Sequence, residues 1–382
     1  MEGLRAKAKE NFLQGQKFLE PPDPIQPWQA SLFMTSVVTI CKRSSHVAFL
    51  QANIPRTELL ENLKAPLDPH NEEKPTAIFR LVKIDRGLED GRIPLAKNLF
   101  MDIFKEFGLD EYWLHLVQYW AYGFYQIQHR NPGHGPQHSC YLNMVSFTLI
   151  WSFNAQTSTT KAIFIPRRMD GLINPGGIYG RFTSLLEAQK SLIDDSSFCS
   201  FLCACYLVHW IDIYIGVELP KIRKIEGATG YSQWIDENHD DDPGTESLAE
   251  MSKKTGESLS SLANVARHVA LAKTLLQKLK TGEGQVSTVA SGEDDNARSM
   301  SSADQIREAL TILQSQIEFS DHYTTYLQER ARTQQPVVCC PLPPPFSLTA
   351  ATNTPRFSTS SEAKTQEPIL KSLNQPRTTA QP

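Results

Sequence analysis

The sequence lacks an apolar run of membrane-spanning length, a strong charge of either sign, and any paired cysteine framework. Its longest apolar stretch, Phe198 to Ile211, is interrupted by Asp212 and Glu218, short of the about 20 residues a bilayer span needs. The first 20 residues mix Lys, Arg and Glu with scattered apolar positions, so no signal-peptide core is present. The expectation is a soluble, cytoplasmic chain without a direct membrane span. A formal net charge of -4 over 382 residues argues against a nucleic-acid binder, which normally carries a basic face. Seven cysteines, an odd number without a secretory leader, give no reason to expect disulfides. Cys199, Cys203 and Cys205 sit in the apolar run, where thiols act as small hydrophobes; Cys339 and Cys340, beside a proline run, are expected to be exposed.

Catalytic motifs are scarce too. There is no HExxH and no nucleophile elbow. The glycine-rich stretch Asn174–Gly180 lacks the Lys and Ser/Thr of a phosphate-binding loop. His209, beside Trp210 on an apolar helix, reads as a core histidine. The chain is not expected to be an enzyme.

What is present is an ordered sequence of strand and helix signals. A short helix is expected before Pro21-Pro22, then a connector to residue 24. Strands are expected over Gln29–Lys42, Val47–Ala52 and Thr76–Ile84, from their β-branched and aromatic content, with a polar loop over Pro66–Lys74. Apolar residues at helical spacing predict a helix over Asn98–Gln126, broken at Gly108. His129–Ser139 reads as a turn-rich stretch. Leu142–Phe153 and Lys161–Ile165 form the clearest hairpin, ended by Pro166. Ser196–Gly227 reads as one long helix, with Asp194 and Asp195 at its positive end, a kink at Pro220, and a stop at Gly227 and Gly230.

Two more helices follow an acidic linker. In the second, Ile306, Leu310, Leu313, Ile317, Ser320, Thr324, Leu327 and Ala331 alternate by four and three, a heptad seam. Running from Ser302 to Gln335, it would be about 50 Å long and needs a partner surface. Residues 281–302 and the Pro/Ser/Thr-rich tail 336–382 are expected to be disordered. The fold class expected is α+β. A mixed sheet flanked by helices occupies residues 25–240, and a coiled-coil-like stalk of two long helices occupies residues 245–335.

Several blocks in this order resemble the fungal CorA-like divalent-metal transporter family. They are Ser146–Asn154 with Ala162–Arg167, Leu207–Tyr214, Ile222–Gly230, Leu262–Arg267 and Tyr326–Arg332, together spanning roughly residues 25–335. The resemblance implies a cytoplasmic α/β domain that passes into long helices. The last of these would continue into the first of two transmembrane segments, followed by a Gly-Met-Asn loop. No Gly-Met-Asn tripeptide occurs here, and the helical pattern is lost mid-heptad before Pro336. The expectation is either a pore-less form or a reading frame that departs from the family near Gln335, with the second favoured. The role implied is the regulatory, Mg2+-sensing portion of a transporter, assembled as a homo-oligomer through its stalk helices. A soluble adaptor using the seam and the proline-rich tail is the alternative.

Candidate ligands divide by chemistry. Oxygen donors suit magnesium: the acidic run Asp236, Glu237, Asp240, Asp241 and Asp242, and on the long helix Asp212 and Glu218. The acidic run reads equally as a solvated linker, and the helical pair as local caps or ion pairs. His129, His134, His138 and Cys140 are a zinc alternative, but their spacings of five, four and two residues do not match paired zinc ligands. A polar loop is the plainer reading.

Overall fold

Seven strands and eight helices alternate along a computed structural model that describes residues 1–18, 34–65, 73–87, 91–131, 135–167, 177–229, 248–281 and 301–339. The strands are β1 (Met34–Lys42), β2 (Val47–Pro55), β3 (Ala77–Lys83), β4 (Gly123–Asn131), β5 (Gly135–Asn143), β6 (Phe147–Asn154) and β7 (Thr159–Pro166). The helices are α1 (Glu2–Gly15), α2 (Leu59–Lys64), α3 (Lys97–Glu106), α4 (Tyr112–Gln118), α5 (Gly177–Ala188), α6 (Phe198–Thr229), α7 (Leu248–Thr281) and α8 (Ser302–Cys339). The architecture is α+β, as expected, with long helices at the C-terminal end.

One sheet runs in the order β2-β1-β3-β7-β6-β5-β4. Every neighbouring pair is antiparallel except β3 and β7, which are parallel. Two antiparallel halves therefore meet at a central parallel seam. Both faces are covered, which is why the central strands read as nearly unbroken apolar runs rather than alternating ones. In β6 and β7, Leu149, Trp151, Ala162 and Phe164 face one core, shared with α5, α6, α7 and α8. Ile150, Ile163 and Ile165 face the other, shared with α1, α2, α3 and α4.

The β6–β7 hairpin and the break at Gly108 stand where the sequence places them. Gly108 has φ 60°. Its amide donates to the Lys105 carbonyl (2.9 Å) and that of Leu109 to Phe104 (3.2 Å), the paired bonds of a Schellman helix end that favours glycine.

Three elements differ from expectation. The helix after Gly108 ends at Gln118, not Gln126. Its end is also a Schellman motif, with Trp120 N–H to Val117 O (3.4 Å) and Ala121 N–H to Leu116 O (2.9 Å). Here the left-handed position (φ 52°) holds tryptophan, a feature that helical periodicity cannot reveal. The stretch His129–Ser139 is not merely turns: β4 and β5 pair across it from Gly123↔Asn143 to Asn131↔Gly135. Finally, Leu142–Phe153 is two strands. Met144 N–H donates to Phe147 O (3.0 Å) and Arg167 N–H to Ser146 O (2.9 Å). The Asn143 side chain closes this turn, donating to Ala121 O (3.1 Å) and accepting from Thr148 (2.9 Å) and Arg167 (3.1 Å).

At the C-terminal end, α6 passes Gly227 to Thr229 with Pro220 inside it. α8 passes Pro336 to Cys339. A proline in a last turn removes one amide bond near an end whose carbonyls are already frayed, so a tightly packed helix can carry it. α6, α7 and α8 pack on one another. All of Ile306, Leu310, Ile317, Ser320, Thr324, Leu327 and Ala331 are buried, so the heptad seam of α8 is filled by its own chain. The described residues belong to one compact unit, Met1–Cys339. The side chains of Cys339 and Cys340, the segment 282–300 and the tail from 340 lie outside the described residues.

Candidate functional site

The two helical carboxylates singled out from the sequence sit on α6 but do not converge. Asp212 accepts from the Ser320 hydroxyl (3.1 Å) and from the Gln316 amide, joining α6 to α8. Glu218 occupies a core position between Ile215 and Ile222 and is 1% exposed. One of its oxygens takes a 2.8 Å bond from Lys221. Asp236, Glu237, Asp240, Asp241 and Asp242 lie outside the described residues. Among the described residues no three His, Cys, Asp or Glu side chains group as metal ligands. A hard divalent cation wants several converging oxygens, and among the described residues Asp212 and Glu218 do not supply them.

The residues of the zinc alternative lie on or between β4 and β5. His134 lies outside the described residues, and His129 enters the ladder opposite Gln137. Cys140 is part of the α6-side core, where burial pushes its thiol well above the ordinary range and away from the thiolate that binds metal. His138 is buried beside the Gln126 amide (3.4 Å), and burial lowers its pKa. His209, expected in the core, is exposed. A second buried histidine is His268 on α7, with no sequence signal beyond its helical phase.

The most unusual chemistry lies elsewhere, around Trp120. The guanidinium carbons of Arg86 and Arg167 lie 4.0 and 4.3 Å from its ring centre. Arg267 of α7 lies 4.3 Å from the ring centre of Tyr122, two residues further on. Tyr122 in turn donates to the Arg267 carbonyl (3.2 Å). Arg86 is held by three neutral oxygens: Gly91 O (2.7 Å), Val117 O (3.0 Å) and Gln16 Oε1 (2.9 Å). Arg167 is held through Nη1 by Asn143 Oδ1 and Met144 O, both at 3.1 Å. Burial, together with Arg167, brings the pKa of Arg86 down to about 10. Burial and Arg267 lower that of Arg167. No single segment carries this cluster. Its members follow β3, end β7 and sit mid-α7, so only the tertiary fold brings them together.

No family model matches the chain, and no curated protein matches it. Among solved structures it is similar to the full-length CmaX protein, at 13% identity and a TM-score of 0.44, over 80% of this chain and 76% of that one.

Contrary to the expectation that the apolar run from Phe198 is too short, one described helix, α6, is long and apolar enough to cross a membrane by length and composition, because Asp212 and Glu218 interrupt the run without ending the helix; 67% of its apolar window is buried inside the protein. Core burial of this kind accounts for its composition.

Proposed function

We propose that this chain is the regulatory cytoplasmic portion of a CorA-like metal-ion transporter, acting as a homo-oligomer. The sequence blocks that resemble that family motivate the reading. One structural observation supports it. Once the seam of α8 is filled internally, the helix still presents Ile312, Phe319 and Tyr326, exposed at 67%, 68% and 49%. These recur every seven residues, so they line one face of the helix. Phe319, Tyr323 and Tyr326 stack in succession, with ring centres 5.8 and 5.9 Å apart. An exposed aromatic face of this kind is suited to a second subunit. No cation-binding step is assigned to the described residues, whose donors do not converge.

Light scattering on the full chain with and without Mg2+ tests the reading. Assembly beyond a dimer that responds to Mg2+ and is lost in Phe319→Ser/Tyr326→Ser supports it. A chain that stays monomeric in both conditions overturns it. The same stripe favours a second reading, an adaptor that docks an apolar helix of another protein. In that case the chain is monomeric alone and the double variant loses the partner.

A further inference from the structure

The cluster of Arg86, Arg167 and Arg267 carries three positive charges, and among the described residues no carboxylate bonds to any of them. Other arginines of this chain are satisfied in either way: buried Arg80 is held by the carbonyls of Leu63 and Ala65, while two others find acids. Arg5 is bonded to Asp110 (2.7 Å), and Arg330 to Glu226 (2.8 Å). Bringing like charges together out of water raises their energy unless an anion offsets them. The protein nevertheless fixes two of them in place. Arg86 spends three of its five N–H groups on neutral oxygens, leaving two. Both bonds of Arg167 use Nη1, so its Nε and Nη2 groups remain. Arg267 is exposed, with its guanidinium over the Tyr122 ring.

The platform is also built at a cost. Trp120 occupies a left-handed backbone position, φ 52°, that glycine would fill without strain. A bulky residue there costs roughly 1–2 kcal/mol. At the equivalent end of α3 the chain uses Gly108. Tryptophan offers the stronger ring face for cations, so the strain goes toward holding guanidinium groups.

We propose that the arginines gathered by the Trp120–Tyr122 segment, the end of β7 and α7 form a binding site for a multiply charged phosphate-bearing anion. In this site Arg167 and Arg267 contact the phosphate oxygens and Arg86 supplies field and orientation. Phosphate is favoured over a simple carboxylate because two planar forks, those of Arg167 and Arg267, are each able to donate two parallel bonds to phosphate oxygens. The bound group is either a soluble phosphate compound or the headgroup of a phosphorylated lipid. Both present the same chemistry.

The test is calorimetric titration of the full chain with inorganic phosphate and with pyrophosphate at low salt. The comparison variants are Arg167→Gln, Arg267→Gln and, as a control, Arg307→Gln, an exposed arginine of α8 paired with Asp304. The expected result is saturable binding, tighter for pyrophosphate. It weakens about tenfold or more in either cluster variant and is unchanged in the control. Arg267→Gln removes an exposed side chain, so it keeps the test independent of folding. Co-sedimentation with vesicles containing phosphatidylinositol phosphates separates the sources. Vesicle binding that pyrophosphate displaces assigns a lipid headgroup, while pyrophosphate binding without vesicle binding assigns a soluble ligand. No saturable binding of either phosphate probe at about 1 mM overturns the proposal. So does binding that Arg267→Gln and Arg167→Gln leave intact.

Discussion

Trp210 of α6 and His268 of α7 stack with ring centres 4.2 Å apart and planes 24° from parallel. The imidazole is fully buried and bonded on both sides. Its Nδ1 lies 2.7 Å from Asn264 O, and its Nε2 accepts from Val145 N–H at 3.4 Å. That pattern assigns the neutral form with its proton on Nδ1. One side chain thereby joins α6, α7 and the β5–β6 turn.

Acid sensitivity follows from this contact. Burial lowers the pKa of His268 from 6.5 to about 4, with Arg267 adding to the effect. Above pH 6.5 both folded and unfolded states hold a neutral ring, and His268 contributes no pH dependence. Between pH 6.5 and 4 the unfolded chain takes up a proton that the folded one does not. Stability therefore falls as pH drops, by up to about 3 kcal/mol. Urea unfolding midpoints at pH 7 and pH 5 will show the loss, and His268→Phe will reduce it.

Glu226 and Arg330 clamp the far end of α6 to α8. Glu226 is 6% exposed, and the guanidinium bonds it through both Nε and Nη2. Glu226→Gln leaves a half-buried cation without its acid, and the expected cost is about 2–3 kcal/mol. Adding Arg330→Met will recover part of it, giving a coupling energy in a double-mutant cycle read from urea melts.

Asp110 ties the N-terminal helix to the start of α4, in addition to the packing of the buried Phe12. Its carboxylate accepts from Arg5 Nε (2.9 Å) and Nη2 (2.7 Å) and from the Tyr112 amide (2.8 Å). Asp110→Ala is expected to cost about 3 kcal/mol. Hydrogen exchange will show faster exchange of α1 amides while those of β6 and β7 stay protected.

Gly108→Ala places a side chain at φ 60° and against the Gln137 amide. The expected loss is about 1–2 kcal/mol. Thermal unfolding will register it as a drop of several degrees.

Trp151 is buried in the core that the sheet shares with α5, α6, α7 and α8, with its ring centre 6.0 Å from that of Phe124. Truncation to Ala is expected to cost about 3–5 kcal/mol, measured as a shift in urea midpoint with an unchanged slope.

Much of this fold is legible locally. The β6–β7 hairpin, the helix break at Gly108 and the two long C-terminal helices each depend on neighbours a few residues away, through period-two or period-3.6 patterning and turn chemistry. The four-three seam of α8 was legible as a buried stripe, but periodicity does not say what buries it. The answer, α6 and α7 of the same chain, is a matter of tertiary packing. β4 and β5 were obscured because prolines, glycines and polar side chains dominate the sequence from His129 to Ser139. The break at Asn143 was obscured because strands buried on both faces lose their alternation.

The arginine cluster marks the limit of reading from sequence. Arg86, Arg167 and Arg267 stand far apart along the chain, each unremarkable in its own segment. Composition and spacing alone determined an α+β chain with long amphipathic helices and no local catalytic or paired-ligand motif. The fold decided that three like charges share two aromatic rings with no acid among their partners in the described residues. Charge pairing depends on distance in space, which sequence separation does not encode.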